Sequence, residues 1–146
     1  MTDVIPIGRA EPVSELARLA AHLDLSTAAS VVVADDLVVS ASALAPLTDD
    51  PFASTTLLVR PATTDADVRV RHHVVTSVGS QFHDVTAPDH RSVGALLISS
   101  SDASSAAAVI LELRSAIDDG SIRSDGTDLV ELVAVCLLYT SPSPRD

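Results

Sequence analysis

Apolar residues recur every three or four positions in two stretches of this chain, and that spacing predicts helices with one buried face. Residues 12–23 form the first stretch, with Ser14 as a candidate N-cap. Residues 102–119 form the second and clearer one, with Asp102 as a good N-cap and Gly120 ending the helix.

Two further helices are predicted. Residues 40–47 read as a short helix with Pro46 near its end, and DLVELVAV, residues 128–135, begins another.

Continuous β-branched and aliphatic runs predict three strands that are buried on both faces. They cover residues 31–33, 55–59 and 92–99, and the third contains Gly94, where another part of the backbone could approach closely. Between the last two runs, Val68 and Val70 alternate with Arg69 and Arg71, and Val74 and Val75 follow, which predicts a β-hairpin with His72 and His73 near its turn.

The alternation of strands with helices predicts an α/β fold: three layers, a mostly parallel sheet and one β-hairpin. The 146 residues suit one small domain, or part of one. Because only 2% of the residues are aromatic, the core is expected to be aliphatic.

Charge excludes several classes of partner. The net charge is −11, so nucleic acid and anionic membrane surfaces would be repelled, and we expect no nucleic-acid partner. No apolar run approaches the roughly 20 residues that span a bilayer. The N-terminus lacks a cationic segment followed by an apolar one, so no secretory signal is predicted.

Candidate chemistry centres on Asp35 and Asp36, which follow the run of three valines. Open α/β sheets bind ligands at the carboxyl ends of their strands, and a carboxylate there could hold Mg²⁺ against nucleotide phosphates. Adjacent side chains point to different sides, so one of the two is expected to face the crevice. The alternative is that both residues cap the following segment and face water.

The five histidines do not have the local spacing of a zinc site, which favours surface histidines. There is no G-x-S-x-G sequence and no P-loop, and the serines at 99–101, 104 and 105 suit a loop and a helix start.

The last eleven residues, CLLYTSPSPRD, resemble the translation of a transposase-based sequencing adapter and contain the only Cys and the only Tyr. We therefore expect an incomplete domain over residues 1–135 and a non-native tail over 136–146, with the native gene continuing past Val135. On this interpretation Cys136 is not a nucleophile. The alternative is a native, disordered tail rich in Pro and Ser.

The segments VVVADDLVVSASALAPL, TTLLV, VRVRHHVVTSVGS and VGALLIS occur in the order found in a known family. Over residues 28–135 the chain resembles a nucleotidyltransferase-like domain of the GT-A type. More closely, it resembles the amino-terminal soluble domain of bacterial CDP-alcohol phosphatidyltransferase-family proteins, which is followed by a membrane-embedded transferase for phospholipid headgroups.

The resemblance implies a binding site for a nucleotide or sugar phosphate formed by Asp36, Asp35 and Gly94, with Asp36 as the Mg²⁺ ligand. It also implies a cytoplasmic domain whose parent protein lies in the plasma membrane, with the membrane-embedded transferase domain as its partner.

This chain departs from the active members of that family. Their Gly-rich phosphate loop is represented only by Gly8 and Arg9, and the chain contains no Lys. Asp119-Gly120-Ser121-Ile122-Arg123 resembles the start of the membrane transferase's D-G-x-x-A-R motif, but it lacks the Ala-Arg pair and reads as a helix end followed by a polar loop.

Three functional classes therefore remain open. The chain could bind a nucleotide to support cytidylyl-type transfer, or act as a degenerate domain that regulates or docks its membrane partner. It could also be a plain fragment without activity of its own. The missing Gly-rich loop favours the second class, the degenerate regulatory or docking domain, so this chain is expected to be inactive by itself.

Overall fold

The computed structural model shows a mixed α/β domain. It describes residues 3–8, 10–25, 28–35, 55–64, 66–71, 74–78, 85, 87–123 and 129–140. The strands are β1 (Asp3–Ile7), β2 (Ser30–Ala34), β3 (Thr56–Pro61), β4 (Val68–Arg71), β5 (Val74–Val78) and β6 (His90–Ile98). The helices are α1 (Pro12–Leu25), a 3₁₀ turn (Ser100–Asp102), α2 (Ala103–Asp118) and α3 (Leu129–Thr140).

The described strands form one sheet that is mostly antiparallel, so the prediction of a mostly parallel sheet is wrong. Among the strands that the structure describes, only β1 and β2 pair in parallel, whereas β6 runs antiparallel to β2, β3 and β4, and β4 to β5. A parallel pair needs a crossover connection of a dozen or more residues, and α1 provides one between β1 and β2. The two residues between β4 and β5 allow only the antiparallel hairpin, which the sequence predicted correctly.

All three α-helices of the described chain contribute to a single aliphatic cluster on one face of the sheet, so the predicted third layer is not found there. The sheet contributes Ile5, Ile7, Val32, Leu96 and Ile98 to this cluster. On the opposite face, Val31, Ala95 and Leu97 form a smaller buried cluster. The expected aliphatic core is confirmed, since every buried hydrophobic residue of the described chain is Ala, Val, Leu or Ile.

Strand β1 was not predicted. Its five residues, DVIPI, are few and include a proline, which weakens the pattern of a strand. The strand forms because Ile5 and Ile7 point into the core, while Pro6 is tolerated at a position that needs no bond to β2. Pairing with β2 then extends the sheet beyond the predicted strands.

The predicted helix over 12–23 is confirmed as α1, but Ser14 is not its N-cap. The helix begins at Pro12, whose fixed φ suits a first helical position, and Ser14 lies inside the first turn. The predicted helix over 102–119 is confirmed as α2. Asp102 precedes it, but its side chain makes no capping hydrogen bond.

The end of α2 matches the sequence prediction. Gly120 has a φ of 84°, and its N–H donates to the Ile117 carbonyl at 3.2 Å. Ser121 donates from both N–H and hydroxyl to the Asp119 carboxylate, and these bonds lower the pKa of that carboxyl. Residues 119–121 are therefore a helix terminus and tight turn, as predicted.

The strands predicted at 55–59 and 92–99 are present as β3 and β6, with changed bounds or burial. Strand β3 is partly exposed along its length rather than buried on both faces. Strand β6 starts two residues before the predicted Ser92 and is buried from Gly94 onward. The predicted helix over 40–47 lies outside the described residues.

Helix α3 confirms the helix predicted from residue 128 onward and continues to Thr140, with Cys136 and Leu137 packed against the main core. The boundary between a domain over 1–135 and a tail over 136–146 stays a prediction. No helix in the described part of the chain has the length and apolar character needed to cross a membrane.

Candidate functional site

The carboxyl ends of the parallel strands β1 and β2 meet at the start of α1. Residues 7 and 34 are the last pair of the ladder, and the Asp35 N–H donates to the Ile7 carbonyl at 2.9 Å. This hydrogen bond extends the pairing by one step and places Asp35 beside Gly8. The predicted position of a carboxylate at the end of the valine strand is therefore confirmed for Asp35.

The Asp35 carboxylate lies directly over the backbone of Gly8. A Cβ built on Gly8 would lie 3.1 Å from Asp35 Cγ and closer still to Oδ2. Glycine is thus the residue that lets these two strand ends approach each other. The Asp35 side chain is exposed, and no group within the described residues donates a hydrogen bond to its carboxylate.

A second carboxylate reaches the same place from the first turns of α1. Glu15 Oε1 accepts the Gly8 N–H at 3.2 Å, and Glu15 Oε2 accepts two bonds from Arg18, at 2.8 Å from Nε and 2.6 Å from Nη2. Arg18 Nη2 also donates to the Pro6 carbonyl at 2.6 Å. The β1–α1 connection is therefore fastened by an ion pair within the chain.

The engagement of Gly8 matters for ligand binding. A glycine N–H between a strand and a helix is the kind of donor that phosphate-binding loops offer to an anion. In this chain that donor is bonded to Glu15, so the internal carboxylate occupies the position where a phosphate oxygen would accept. Together Asp35 and Glu15 place two carboxyl groups around Gly8.

Of the other predicted site residues, Gly94 is described and Asp36 lies outside the described residues. Gly94 is buried in β6 with a φ of 95°, next to the last β2–β6 pair, Val33–Ala95. The register against β3 slips there: Leu57 faces Leu96, but Val59 faces Ser92. This β-bulge explains the glycine, because its backbone conformation is one that side chains disfavour.

No group of three or more potential metal ligands occurs in the part of the chain that the structure describes. Of the two carboxylates beside Gly8, Glu15 already accepts from Gly8 and Arg18, so Asp35 is the one left open to a cation. The Mg²⁺ site at Asp36 therefore stays a prediction.

Sequence reasoning missed a second polar cluster at the start of β6. Asp89 Oδ1 accepts the Val70 N–H at 3.1 Å and faces His90 Nδ1 at 2.8 Å, while Oδ2 pairs with Arg71 at 2.9 Å. The hydrogen bonds from His90 and then Val70, with Arg71 adding to them, lower the pKa of Asp89 from 3.8 to about 2. The adjacent Asp89 and His90 were a sign of this cluster in the sequence. Their partner Arg71 lies eighteen residues earlier, on β4, and could not be identified from local sequence.

A third cluster joins the start of β3 to the end of β6. Asp102 Oδ2 accepts the Thr55 hydroxyl at 2.6 Å and the Ser99 hydroxyl at 3.0 Å, and the Ser99 N–H donates to Thr55 Oγ1 at 3.2 Å. The acceptor of both hydroxyls is the Asp102 carboxylate, and no histidine takes part in this cluster among the described residues. These hydrogen bonds join the two chain segments, and the expectation that the serines are not nucleophiles stays a prediction.

Neither the described histidines nor the cysteine suggests catalysis. His22 lies in α1 and His90 bonds to Asp89, while His72, His73 and His83 lie outside the described residues. Burial, and secondarily the charge of Glu112, raise the pKa of the Cys136 thiol. A raised thiol pKa disfavours the thiolate, which is the nucleophilic form.

Comparison with known proteins gives no further assignment of this site. No protein-family model, no curated protein and no solved structure matches the chain.

Proposed function

We propose that this chain is a nucleotidyltransferase-like domain that does not transfer nucleotides itself and instead regulates or docks a membrane-embedded transferase of the same parent protein. The resemblance over residues 28–135 to the soluble domain of bacterial CDP-alcohol phosphatidyltransferase-family proteins supports the parent and its role in phospholipid synthesis. The cytoplasmic location and the plasma-membrane parent belong to the same proposal.

One observation carries the non-catalytic part of this proposal: the Gly8 N–H is bonded to Glu15. Transfer of a nucleotidyl group needs phosphate oxygens held by backbone donors and cations, because charge develops on them in the transition state. Here the donor at the strand–helix junction serves an internal carboxylate, and the lysine that such enzymes use is missing from the sequence.

A second candidate function is Mg²⁺-dependent binding of a nucleotide or sugar phosphate at Asp35 and Asp36. The observation that favours it is the exposed Asp35 carboxylate at the carboxyl ends of β1 and β2, without a hydrogen-bond donor among the described residues. Because Asp35 and Glu15 repel a bare phosphate, a cation would have to bridge the ligand to the carboxylates.

Thermal unfolding with CTP or CDP and Mg²⁺ separates the two candidates. A ligand at 100 times its Kd should add about 2.7 kcal/mol to the free energy of unfolding. We expect no shift of the melting temperature with either nucleotide. A Mg²⁺-dependent shift that disappears in Asp36→Ala or Asp35→Ala would overturn the docking proposal in favour of nucleotide binding.

The matched control is Asp24→Ala, which removes the same charge from an exposed residue near the carboxyl end of α1. A nucleotide shift that Asp24→Ala also abolished would reflect net charge rather than a site. The parent is tested separately: the gene beyond the codon for Val135 should encode apolar helices carrying D-G-x-x-A-R, and a gene without them would refute it.

A further inference from the structure

The outer edge of β1 carries few open hydrogen-bonding groups. In a strand, the N–H and C=O of one residue point to the same side, and successive residues alternate. The Ile7 carbonyl accepts from Asp35 and so faces β2, which turns Pro6, Gly8 and Val4 toward the other side. In the described sheet, β1 pairs only with β2, so this other side is an edge.

Three of the four outward groups of Pro6 and Gly8 are already removed or occupied. Pro6 has no N–H, its carbonyl accepts Arg18 Nη2 at 2.6 Å, and the Gly8 N–H donates to Glu15 at 3.2 Å. Val4 keeps one donor and one acceptor, and its side chain is 51% exposed. No hydrogen bond to these two groups of Val4 occurs within the described chain.

Helix α1 places the ion pair of Glu15 and Arg18 over the outer edge of β1. Glu15 and Arg18 are three residues apart on α1 and therefore lie on one face of it, which the β1–α1 connection turns toward the edge. Arg18 bonds to Glu15 and to Pro6 at once, as a guanidinium with several donors can. The Arg18 side chain is 51% exposed and that of Glu15 is 26% exposed, so the ion pair by itself contributes modestly to folding stability, and its bonds to Pro6 and Gly8 also cover outward groups of β1.

We infer that the bonds of Glu15 and Arg18 to β1 block the edge of this strand from pairing with β1 of a second copy of this chain. Exposed strand edges pair readily with other strands, and natural proteins block them with charges and prolines. Without Glu15 and Arg18, the Pro6 carbonyl, the N–H and carbonyl of Val4 and the Gly8 N–H would be open in one row. An added strand needs such a row of donors and acceptors. This inference does not depend on the proposed function.

The experiment compares self-association of the wild-type chain and Arg18→Ala by sedimentation at several protein concentrations. The salt concentration must suffice to screen the net charge of −11. We expect Arg18→Ala to lower the apparent dissociation constant by about tenfold, the factor expected from roughly one extra hydrogen bond. The control Arg123→Ala removes the same charge from an exposed residue after α2 and should behave as the wild type.

A second variant tests whether association occurs through the edge. Adding Val4→Pro to Arg18→Ala removes the last outward donor without removing a bond to β2, and it should restore the wild-type dissociation constant. Circular dichroism melting verifies that each variant is folded. An Arg18→Ala protein as monomeric as the wild type, or association that Val4→Pro leaves unchanged, would overturn the inference.

Discussion

Two aspartates, one just before a strand and one just after a strand, differ in the hydrogen bonds that their carboxylates accept. Asp89, before β6, accepts the Val70 N–H and faces His90 and Arg71, whereas Asp35, after β2, has no donor to its carboxylate among the described residues. Asp35 is exposed and the Asp89 side chain is 39% exposed, so both carboxylates reach solvent. The difference teaches that a carboxylate fastened by several donors is part of the scaffold, whereas one that is exposed and accepts no bond from the described residues stays open to a ligand or cation.

The largest loss of folding stability is expected from Asp89→Ala. This substitution removes an acceptor that joins β4 to β6, two strands whose ladder consists of the single pair Val68–His90. We expect a clearly lower melting temperature at pH 7 than for Asp35→Ala, and faster hydrogen exchange of the Val70 N–H.

The effect of Asp89→Ala should also depend on pH. The folded pKa of Asp89, about 2, lies below its usual value of 3.8, so the carboxylate stabilises the fold above about pH 4. This contribution is lost as the pH falls toward 2. The stability difference between wild type and variant, followed by urea titrations, should shrink over that interval. A difference that stayed constant from pH 5 to 2, or grew, would contradict the role assigned to Asp89.

An intermediate change in the free energy of unfolding is expected from Gly8→Ala. The change should be a loss when Asp35 is present and a gain when Asp35 is replaced by Ala. In the wild-type background the new Cβ collides with the Asp35 carboxylate, so the free energy of unfolding should fall. In an Asp35→Ala background that obstacle is gone, and Gly→Ala should stabilise by about 0.4–1 kcal/mol through the unfolded state.

The two backgrounds form a double-mutant cycle measured by urea denaturation. Contacting residues give coupling energies of about 0.5–3 kcal/mol. Additive effects of the two substitutions would show that Asp35 does not lie over Gly8, and the comparison of the two aspartates would then lose its basis.

The smallest effect is expected from Asp35→Ala alone. The side chain is exposed and receives no hydrogen bond within the described residues, so stability should change by no more than about 0.5 kcal/mol. Chemical denaturation beside the Asp24→Ala control measures this. A loss as large as that of Asp89→Ala would place Asp35 in the scaffold and remove it from the candidate site.

The position of Asp35 at the end of a buried strand could be predicted because both features are local: a run of β-branched residues, then two acids. The contact with Gly8 could not, because it depends on β1, which the sequence pattern did not reveal. Of the other two predicted site residues, Asp36 lies outside the described residues, and the conformation of Gly94 is explained by a β-bulge against β3.

The sequence by itself determined the helices at 12–23 and 102–119, the hairpin, the aliphatic core and the glycine that ends α2. Each of these follows from the periodicity or backbone preference of neighbouring residues. Only the tertiary structure decided that the sheet is mostly antiparallel, that the described helices share one face, and that Glu15 rather than a ligand accepts the Gly8 N–H. These outcomes depend on which distant segments pair, and strands with the same local pattern can pair in either direction.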